Sequence, residues 1–327
     1  MPAIREILAE GSASLAVAGI ENPGLDASLL LAEVLGISRT SLLAAGLEPL
    51  AESSLAAFRR LIKRRLEGEC VAYILGKKEF YGLEFMVNPS VLVPRPETEL
   101  LVETVIEIVK SSRKEQKPKY AIRVLDLCTG SGAIAIALKH TMPELEVWAT
   151  DISVKALETA KANAARLLPP GAISFCHGDL YDALPSIKKY YSQISHTKAQ
   201  RHKDTKNSYK LYKPHSFSIP LTSYLLPFTF IISNPPYIPT AEIPSLSPEV
   251  RAEPVLALDG GKEGLDSIRN IILQAPEHLC PHGILLLEAD LRQMKEIASL
   301  YETAGFKDIT LYKDLSGNER VIGGQKE

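Results

Sequence analysis

Apolar side chains recur at helical spacing over the first part of the chain. Ile4 and Ile7 would share one helix face, and residues 25–35 are dense in leucine and alanine with almost no β-branched residues. Residues 55–66 continue the pattern and carry arginine and lysine on the opposite face. The pattern predicts a small helical domain over residues 1–75.

Aromatic and β-branched residues mark the next segment, residues 79–93. Phe80 and Phe85 stand among valines, with glycine, asparagine and proline as breakers, which predicts a β-hairpin. We therefore expect residues 76–95 to link two domains. Residues 97–109 follow with the spacing of an amphipathic helix.

The rest of the chain, residues 96–327, alternates short apolar runs with helical segments. The apolar runs are 121–127, 145–150, 172–176, 228–233 and 283–288. The helical segments include 133–139, 154–166 and 265–278. Buried runs that alternate with helices predict an α/β fold, a Rossmann-like doubly wound sheet of parallel strands. Two further runs, 307–311 and 320–322, are expected to close the sheet as a terminal hairpin.

A basic segment interrupts this alternation at about residues 187–215. It contains eight Lys or Arg residues against one acid, Asp204, and several tyrosines. A basic stretch with interleaved aromatics could contact RNA. Loop-length statistics favour a solvated insertion between two strands.

Composition limits the class of protein. The formal net charge is −2, so the chain as a whole lacks the excess positive charge that favours binding to nucleic acid or membranes. The four cysteines lie far apart without a CxxC, which indicates reduced thiols and no metal site. The start lacks the apolar core of a signal peptide, and no run reaches the ~20 apolar residues of a spanning helix. We expect a cytoplasmic protein, and a monomer.

A glycine-containing turn follows the first apolar run of the α/β domain. The turn consists of Cys128, Thr129, Gly130, Ser131 and Gly132. Glycines at the carboxyl end of a strand let a ligand lie against bare backbone, and the next helix offers unpaired N–H groups. The turn also fits the dinucleotide fingerprint GxGxxA, and Asp151 stands where a ribose-binding acid is expected. An NAD-dependent oxidoreductase is therefore one interpretation.

Three acids favour a different cofactor, S-adenosyl-L-methionine. Asp126, Asp151 and Asp179 fall at the ends of three successive strands. A carboxylate at Asp126 would repel a pyrophosphate but attract a sulfonium and an ammonium group. The three acids would lie near the methionine moiety, the ribose hydroxyls and the adenine, respectively. An oxidoreductase would also leave the tetrapeptide after the fourth run unexplained.

That tetrapeptide, Asn234-Pro235-Pro236-Tyr237, is predicted to be the catalytic turn. An amide nitrogen is a poor nucleophile because its lone pair is delocalised into the carbonyl. The Asn234 side-chain oxygen and the rigid Pro235 carbonyl can each accept one N–H and so aim the lone pair at the methyl carbon. Tyr237 offers a flat face for a planar amide or base.

With both motifs in view, the chain resembles the HemK/PrmC family, which methylates a glutamine in peptide chain release factors. Further motifs that carry the resemblance are 23–27 (PGLDA), 81–85 (YGLEF), 94–99 (PRPETE), 253–254 (EP), 257–258 (AL), 260–261 (GG), 264–265 (GL), 314–317 (DLSG) and 320–322 (RVI). They cover nearly the whole chain apart from the basic segment. Cys128 and Leu180 depart from the residues that relatives carry there, glycine and, in some, an aromatic.

The resemblance implies a function and a site. The helical domain would help recognise the release factor, and the target would be the glutamine of its Gly-Gly-Gln motif. Residues 128–132, Asp151, Leu180 and Asn234 would bind S-adenosyl-L-methionine, and residues 234–237 would bind the glutamine. The chain's own Gly-Gly-Gln, residues 323–325, is expected to lie in a frayed tail.

Two other acceptors remain possible at this stage. The same tetrapeptide serves enzymes that methylate the exocyclic amine of adenine, but those need a basic cleft and base flipping. A relative that methylates a glutamine of a ribosomal protein shares the catalytic half. The linker motif and the helical start favour the release factor, and no direct nucleic-acid substrate is expected.

Overall fold

The computed structural model describes residues 1–115, 121–184 and 227–327. The predicted basic insertion at 187–215 lies outside these residues. Within the described parts, no helix combines the length and the apolar character that crossing a bilayer requires. The same parts hold no cluster of three or more His, Cys, Asp or Glu side chains arranged for a metal ion.

Five helices form the first domain, as the apolar spacing predicts. They are α1 (Ile4–Val17), α2 (Pro23–Leu35), α3 (Arg39–Ala44), α4 (Glu52–Leu66) and α5 (Val71–Leu75). Leu15, Leu30 and Phe58 meet in their common core, each at most 2% exposed. Gly36 ends α2 with a φ of 65°, a conformation that glycine adopts without strain.

The linker hairpin is shorter than predicted. It consists of β1 (Lys77–Phe80) and β2 (Leu83–Met86), and residues 87–95 form no strand. Val91 is buried as the apolar pattern suggests, but its carbonyl accepts a hydrogen bond from the Tyr73 hydroxyl (2.6 Å). A side chain of the helical domain thus replaces the strand partner, so burial does not imply a strand here.

The second domain is built from seven helices and seven strands within the described residues. The helices are α6 (Glu99–Glu115), α7 (Ala133–Thr141), α8 (Val154–Leu167), α9 (Pro248–Arg251), α10 (Val255–Leu258), α11 (Asp266–His278) and α12 (Met294–Thr303). The strands are β3 (Arg123–Leu127), β4 (Glu146–Asp151), β5 (Ile173–His177), β6 (Phe228–Ser233), β7 (Leu279–Glu288), β8 (Lys307–Lys313) and β9 (Glu319–Gln325). The predicted apolar runs and helical segments are confirmed.

The seven strands form one sheet in the order β5-β4-β3-β6-β7-β9-β8. Strands β3 to β7 are parallel, and β9 pairs antiparallel with both β7 and β8. Every residue of β3 is buried because helices cover both faces of the sheet. After β3 the chain adds β4 and β5 on one side of that strand and then β6 on its other side. A crevice therefore opens between the carboxyl ends of β3 and β6. The predicted doubly wound α/β fold is confirmed.

The carboxyl-terminal Gly-Gly-Gln is not a frayed tail, which corrects that expectation. Residues 323–325 lie in β9, between β7 and β8. Gly323 and Gly324 are buried, and a Cβ on Gly324 would lie 2.5 Å from a ring carbon of Tyr301. These glycines are there because the Tyr301 ring packs against the strand, so the tripeptide is a structural element.

A buried arginine joins the two domains. Arg65, on α4, binds Asp26 of α2 at 2.7 Å and Glu249 of α9 at 2.6 Å, and its side chain is 7% exposed. Helix α9 follows the predicted catalytic turn in the chain. Arg65 therefore ties the helical domain to a segment next to the predicted site.

Replacing Arg65 with methionine should destabilise the protein markedly. Removing one partner of a buried ion pair leaves an uncompensated charge, which lowers the free energy of unfolding by about 3 kcal/mol. Arg59→Met is the matched control, because Arg59 binds Glu10 at 3.0 Å with both side chains more than half exposed. The control should change stability by less than about 1 kcal/mol. Equal urea midpoints for the two variants would refute the role of Arg65.

Candidate active site

The turn between β3 and α7 has the backbone that a ligand-binding loop needs. Cys128, Gly130 and Gly132 all have positive φ angles, of 58°, 55° and 82°. The φ of Gly132 favours glycine, and a Cβ there would also lie 2.9 Å from the Cδ1 atom of Ile136 and 3.2 Å from the Cβ atom of Ala160. Cys128 is not a glycine but adopts the same positive-φ backbone conformation, and such strain is typical of functional sites. Burial raises the pKa of its thiol to about 12, so the thiol stays protonated.

Asp151, the last residue of β4, ties this turn to the next strand. Its Oδ2 accepts the Gly130 N–H at 2.9 Å, and its Oδ1 accepts the Ser153 N–H at 2.8 Å. Burial raises the pKa of Asp151, and these N–H groups partly offset that effect. Because a carboxylate has about four acceptor positions, it retains capacity for ligand hydroxyls.

Asp126 is located beneath the turn and does not face the crevice. It is fully buried, and alternation along β3 directs its side chain to the face of the sheet that α7 covers. The Thr129 hydroxyl donates to its Oδ2 at 2.6 Å, and burial raises its pKa to about 7. Asp126 therefore supports the loop from beneath, and its place near the methionine moiety stays a prediction.

Asp179 and Leu180 follow β5 at the same edge of the sheet, and both line the crevice. Leu180 has a φ of 42°, and Gly178 before it has a φ of 155°. A Cβ on Gly178 would lie 2.6 Å from the Cα atom of Ala183, so the chain turns too tightly for a side chain there. Leu180 thus lies in the crevice wall, and its contact with the adenine stays a prediction.

The predicted catalytic turn is anchored on both sides. The Asn234 amide nitrogen Nδ2 donates to the Thr98 hydroxyl at 3.0 Å. The Tyr237 carbonyl accepts a hydrogen bond from the Gln293 side chain at 3.0 Å. The Ile238 N–H bonds to the Leu258 carbonyl at 2.9 Å, which joins the turn to α10. The turn is thus held by Thr98 just before α6, by α10 and by the segment before α12.

The crevice collects most of the predicted residues from separate elements. Its walls contain Ser90, Val91, Leu92, Cys128, Gly130, Thr150, Asp151, Ile152, Ser153, Ala156, Asp179, Leu180, Asn234, Pro236, Pro254, Leu256, Ala257, Asp259 and Ser267. Six predicted residues are not among those that line the crevice, namely Asp126, Thr129, Ser131, Gly132, Pro235 and Tyr237. A wider, more open depression between the linker and α8 contains none of the predicted residues.

Sequence reasoning missed two parts of this site. The linker residues 90–92 and the residues Pro254 to Asp259 form walls of the crevice. Pro254 and Ala257 belong to motifs that carry the family resemblance, whereas residues 90–92 lie between two such motifs. Thr98, within the PRPETE motif, gave no signal of its contact with Asn234.

Comparison with known proteins identifies the family. A family model described as the PrmC N-terminal domain matches residues 6–76, and one described as a methyltransferase domain matches residues 124–214. The release factor glutamine methyltransferase of Bradyrhizobium diazoefficiens is 38% identical over 317 residues, covering 96% of this chain and 92% of the relative. That of Geobacter sulfurreducens is 36% identical, covering 98% and 96%.

The chain belongs to the release factor glutamine methyltransferase family. It is a methyltransferase whose cofactor is S-adenosyl-L-methionine, and the oxidoreductase interpretation is excluded. Among solved structures, the hMettl16 catalytic domain in complex with a MAT2A 3'UTR hairpin has a TM-score of 0.50 at 13% identity. The match covers 82% of this chain and 81% of the hMettl16 chain. It is a likeness of fold alone.

Proposed function

We propose that this protein transfers a methyl group from S-adenosyl-L-methionine to the side-chain amide nitrogen of the glutamine in the Gly-Gly-Gln motif of peptide chain release factors. Relatives that match nearly the whole chain carry the name of this activity. The observation that carries the proposal is the hydrogen bond from Asn234 to Thr98. Because Nδ2 points to Thr98, the side-chain oxygen of Asn234 is left to accept an N–H group of a substrate.

An amide acceptor fits this arrangement. A primary amide nitrogen has two N–H groups, and the Asn234 oxygen and the Pro235 carbonyl supply two acceptors in one rigid turn. Hydrogen bonds to both would pull electron density onto the nitrogen and stabilise the positive charge that develops during transfer. Tyr237 is half-buried beside the turn, so the planar amide would stack on an immobilised ring.

The crevice residues fit the cofactor. Asp151 would accept the ribose hydroxyls, Leu180 and Asp179 would contact the adenine, and the backbone of Cys128 and Gly130 would lie against the methionine portion. When bound, the cofactor supplies an electrophilic methyl group on a sulfonium. Asp126 would stabilise the positive charge of the cofactor from beneath the loop, where its carboxyl accepts a hydrogen bond from the Thr129 hydroxyl.

The first domain would recognise the release factor. Residues 6–76 match the PrmC N-terminal domain, and Arg65 ties this domain to α9 next to the site. A rigid connection would let a surface on α1–α5 set the position of a substrate loop in the crevice. We also propose that the protein works as a monomer in the cytoplasm, where release factors act.

The proposal is tested by offering labelled S-adenosyl-L-methionine to three acceptors in parallel: a purified release factor, large-subunit ribosomal proteins, and nucleic acid. We expect label on the release factor alone. Label on a ribosomal protein would support methylation of an amide but contradict the release factor as the substrate. Label on DNA or RNA would show that the turn binds adenine instead.

A further inference from the structure

A glutamine side chain reaches the catalytic turn from the segment that follows β7. Gln293 is the last residue of the short 3₁₀ helix Leu291–Gln293. Its Nε2 atom lies 3.0 Å from the Tyr237 carbonyl oxygen, 3.1 Å from that of Glu263 and 3.2 Å from that of Gly264. All three carbonyls accept hydrogen bonds from this one group. The amide of Gln293 therefore joins the catalytic turn to the loop that precedes α11.

The three carbonyls fix the direction of this amide. If it were turned over, Oε1 would face three carbonyl oxygens, and none of these groups has a hydrogen to donate. In the observed orientation Oε1 is buried and has no hydrogen-bond partner among the described residues. A buried acceptor without a partner is unfavourable. The side chain is therefore placed here for its two N–H groups, and the carbonyls that receive them indicate its role.

The loop before α11 is shaped to share this donor with the turn. Gly264 has a φ of 74°, which favours glycine. A Cβ at this position would collide with the Tyr237 carbonyl oxygen and would lie 2.5 Å from Gln293 Nε2. The absence of a side chain at Gly264 thus allows the loop, the turn and the amide to meet at one point.

The catalytic turn depends on side chains that reach it from other segments. Its two prolines have no N–H group, so the turn has few backbone donors of its own. At its start the Asn234 side chain bonds to Thr98, and at its end the Tyr237 carbonyl bonds to Gln293. The Pro235 carbonyl, which the proposed function assigns to the substrate amide, lies between these two anchors. A change at either anchor would move the groups that receive the amide.

We propose that Gln293 is a positioning residue, which fixes the Tyr237 ring and the Pro235 carbonyl for the reaction by binding the Tyr237 carbonyl. The inference rests on the proposed function, because it explains how the turn is held against a substrate amide. Gln293 is not among the residues that line the crevice, so it acts through Tyr237. Binding of S-adenosyl-L-methionine should therefore depend little on it.

The first variant, Gln293→Leu, removes the donors and nearly keeps the side-chain volume. We expect kcat for methylation of a release factor to fall at least about tenfold, because small displacements near the reacting atoms have effects of this size. The dissociation constant for S-adenosyl-L-methionine should stay within about threefold of the wild-type value. Single-turnover rates are expressed per cofactor-binding molecule, so a loss of folded protein does not lower them. A purely structural role would lower thermal stability and leave this rate unchanged.

The second variant, Gln293→Glu, keeps the shape of the side chain. A carboxylate has no hydrogen to donate and a protonated carboxyl has one, so neither form replaces the two N–H groups of the amide. Its single-turnover rate should fall at least as far as that of Gln293→Leu, and it decides the question if the leucine variant does not fold. If neither variant yields cofactor-binding protein, Gln293 is required for folding and the positioning role is overturned.

Gln325→Leu is the matched control. Gln325 is also half-buried, and its Nε2 donates to the His282 carbonyl at 3.2 Å, near the amino end of β7 and away from the catalytic turn. Arg292→Met controls for the 3₁₀ helix, because Arg292 is exposed and its ion pairs with Glu242 and Asp290 lie at the surface. Both variants should keep kcat within about twofold of the wild-type value.

The outcomes separate the two proposals. If the wild-type protein does not methylate a release factor, the proposed function fails, whatever the variants do. If it does, but Gln293→Leu or Gln293→Glu keeps the wild-type single-turnover rate, only the positioning role is overturned. An equal loss of rate in Gln325→Leu would also overturn that role, because the effect would then not depend on the contact with Tyr237.

Discussion

Replacing Asn234 with alanine is expected to lower kcat for methylation by about a hundredfold to a thousandfold. The variant loses the acceptor that stabilises the charge developing on the amide nitrogen, and removing one such preorganised group has an effect of this size. The variant also removes the hydrogen bond that the Thr98 hydroxyl accepts from Asn234 Nδ2 at 3.0 Å. Single-turnover kinetics with a saturating release factor measure the chemical step without the contribution of product release.

Asn234→Asp is the informative companion. It keeps an acceptor oxygen but removes the donor to Thr98, so it should retain more activity than the alanine variant at low pH, where the new carboxyl can be protonated and donate. Wild-type rates in the alanine variant would mean that Asn234 does not touch the substrate amide, and the site would have to be reassigned.

Replacing Asp151 with alanine should weaken binding of S-adenosyl-L-methionine about a hundredfold. The carboxylate holds the N–H groups of Gly130 and Ser153 at 2.9 and 2.8 Å, and it is the acceptor proposed for the ribose hydroxyls. Two charge-assisted hydrogen bonds to the cofactor contribute about 1.5 kcal/mol each, or about 3 kcal/mol together, which corresponds to that factor. Isothermal titration calorimetry measures the dissociation constant directly.

Asp182→Ala provides the matched control, because Asp182 is exposed and follows the crevice residue Leu180 closely without lining the crevice. Its dissociation constant should equal the wild-type value within about twofold. Equal effects of the two substitutions would show that Asp151 contributes only general negative charge.

The sequence predicts the architecture well because its signals are local. The apolar runs that became β3 to β7 are continuous and flanked by helices, as a sheet buried on both faces requires. Glycines that a positive φ favours, such as Gly132, are visible as a motif. The cofactor loop, Asp151 and the tetrapeptide could therefore be predicted as site residues from short stretches of sequence.

What the sequence could not predict depends on contacts between distant residues. Thr98 and Asn234 are 136 positions apart, and nothing in either motif indicates that they bond. The buried position of Asp126 follows from α7 covering its face of the sheet. The same holds for Gly324, which looks like part of a polar tail until the Tyr301 ring is placed against it.

The hairpin shows the limit of local patterns. Val91 has the residue type of a strand and is 1% exposed, yet its carbonyl bonds to Tyr73 of the helical domain. Burial and strand formation are separate properties, and only tertiary contacts distinguish them. The sequence thus predicted a hairpin here but extended it beyond Met86, where the second strand ends.

The most direct measurement of the central claim is tandem mass spectrometry of a purified release factor after incubation with the protein and S-adenosyl-L-methionine. The account predicts the mass of one methyl group on the glutamine of the Gly-Gly-Gln peptide, and none with the Asn234→Ala variant. A methyl group on another residue, or an unmodified peptide from a protein that binds the cofactor, would contradict it.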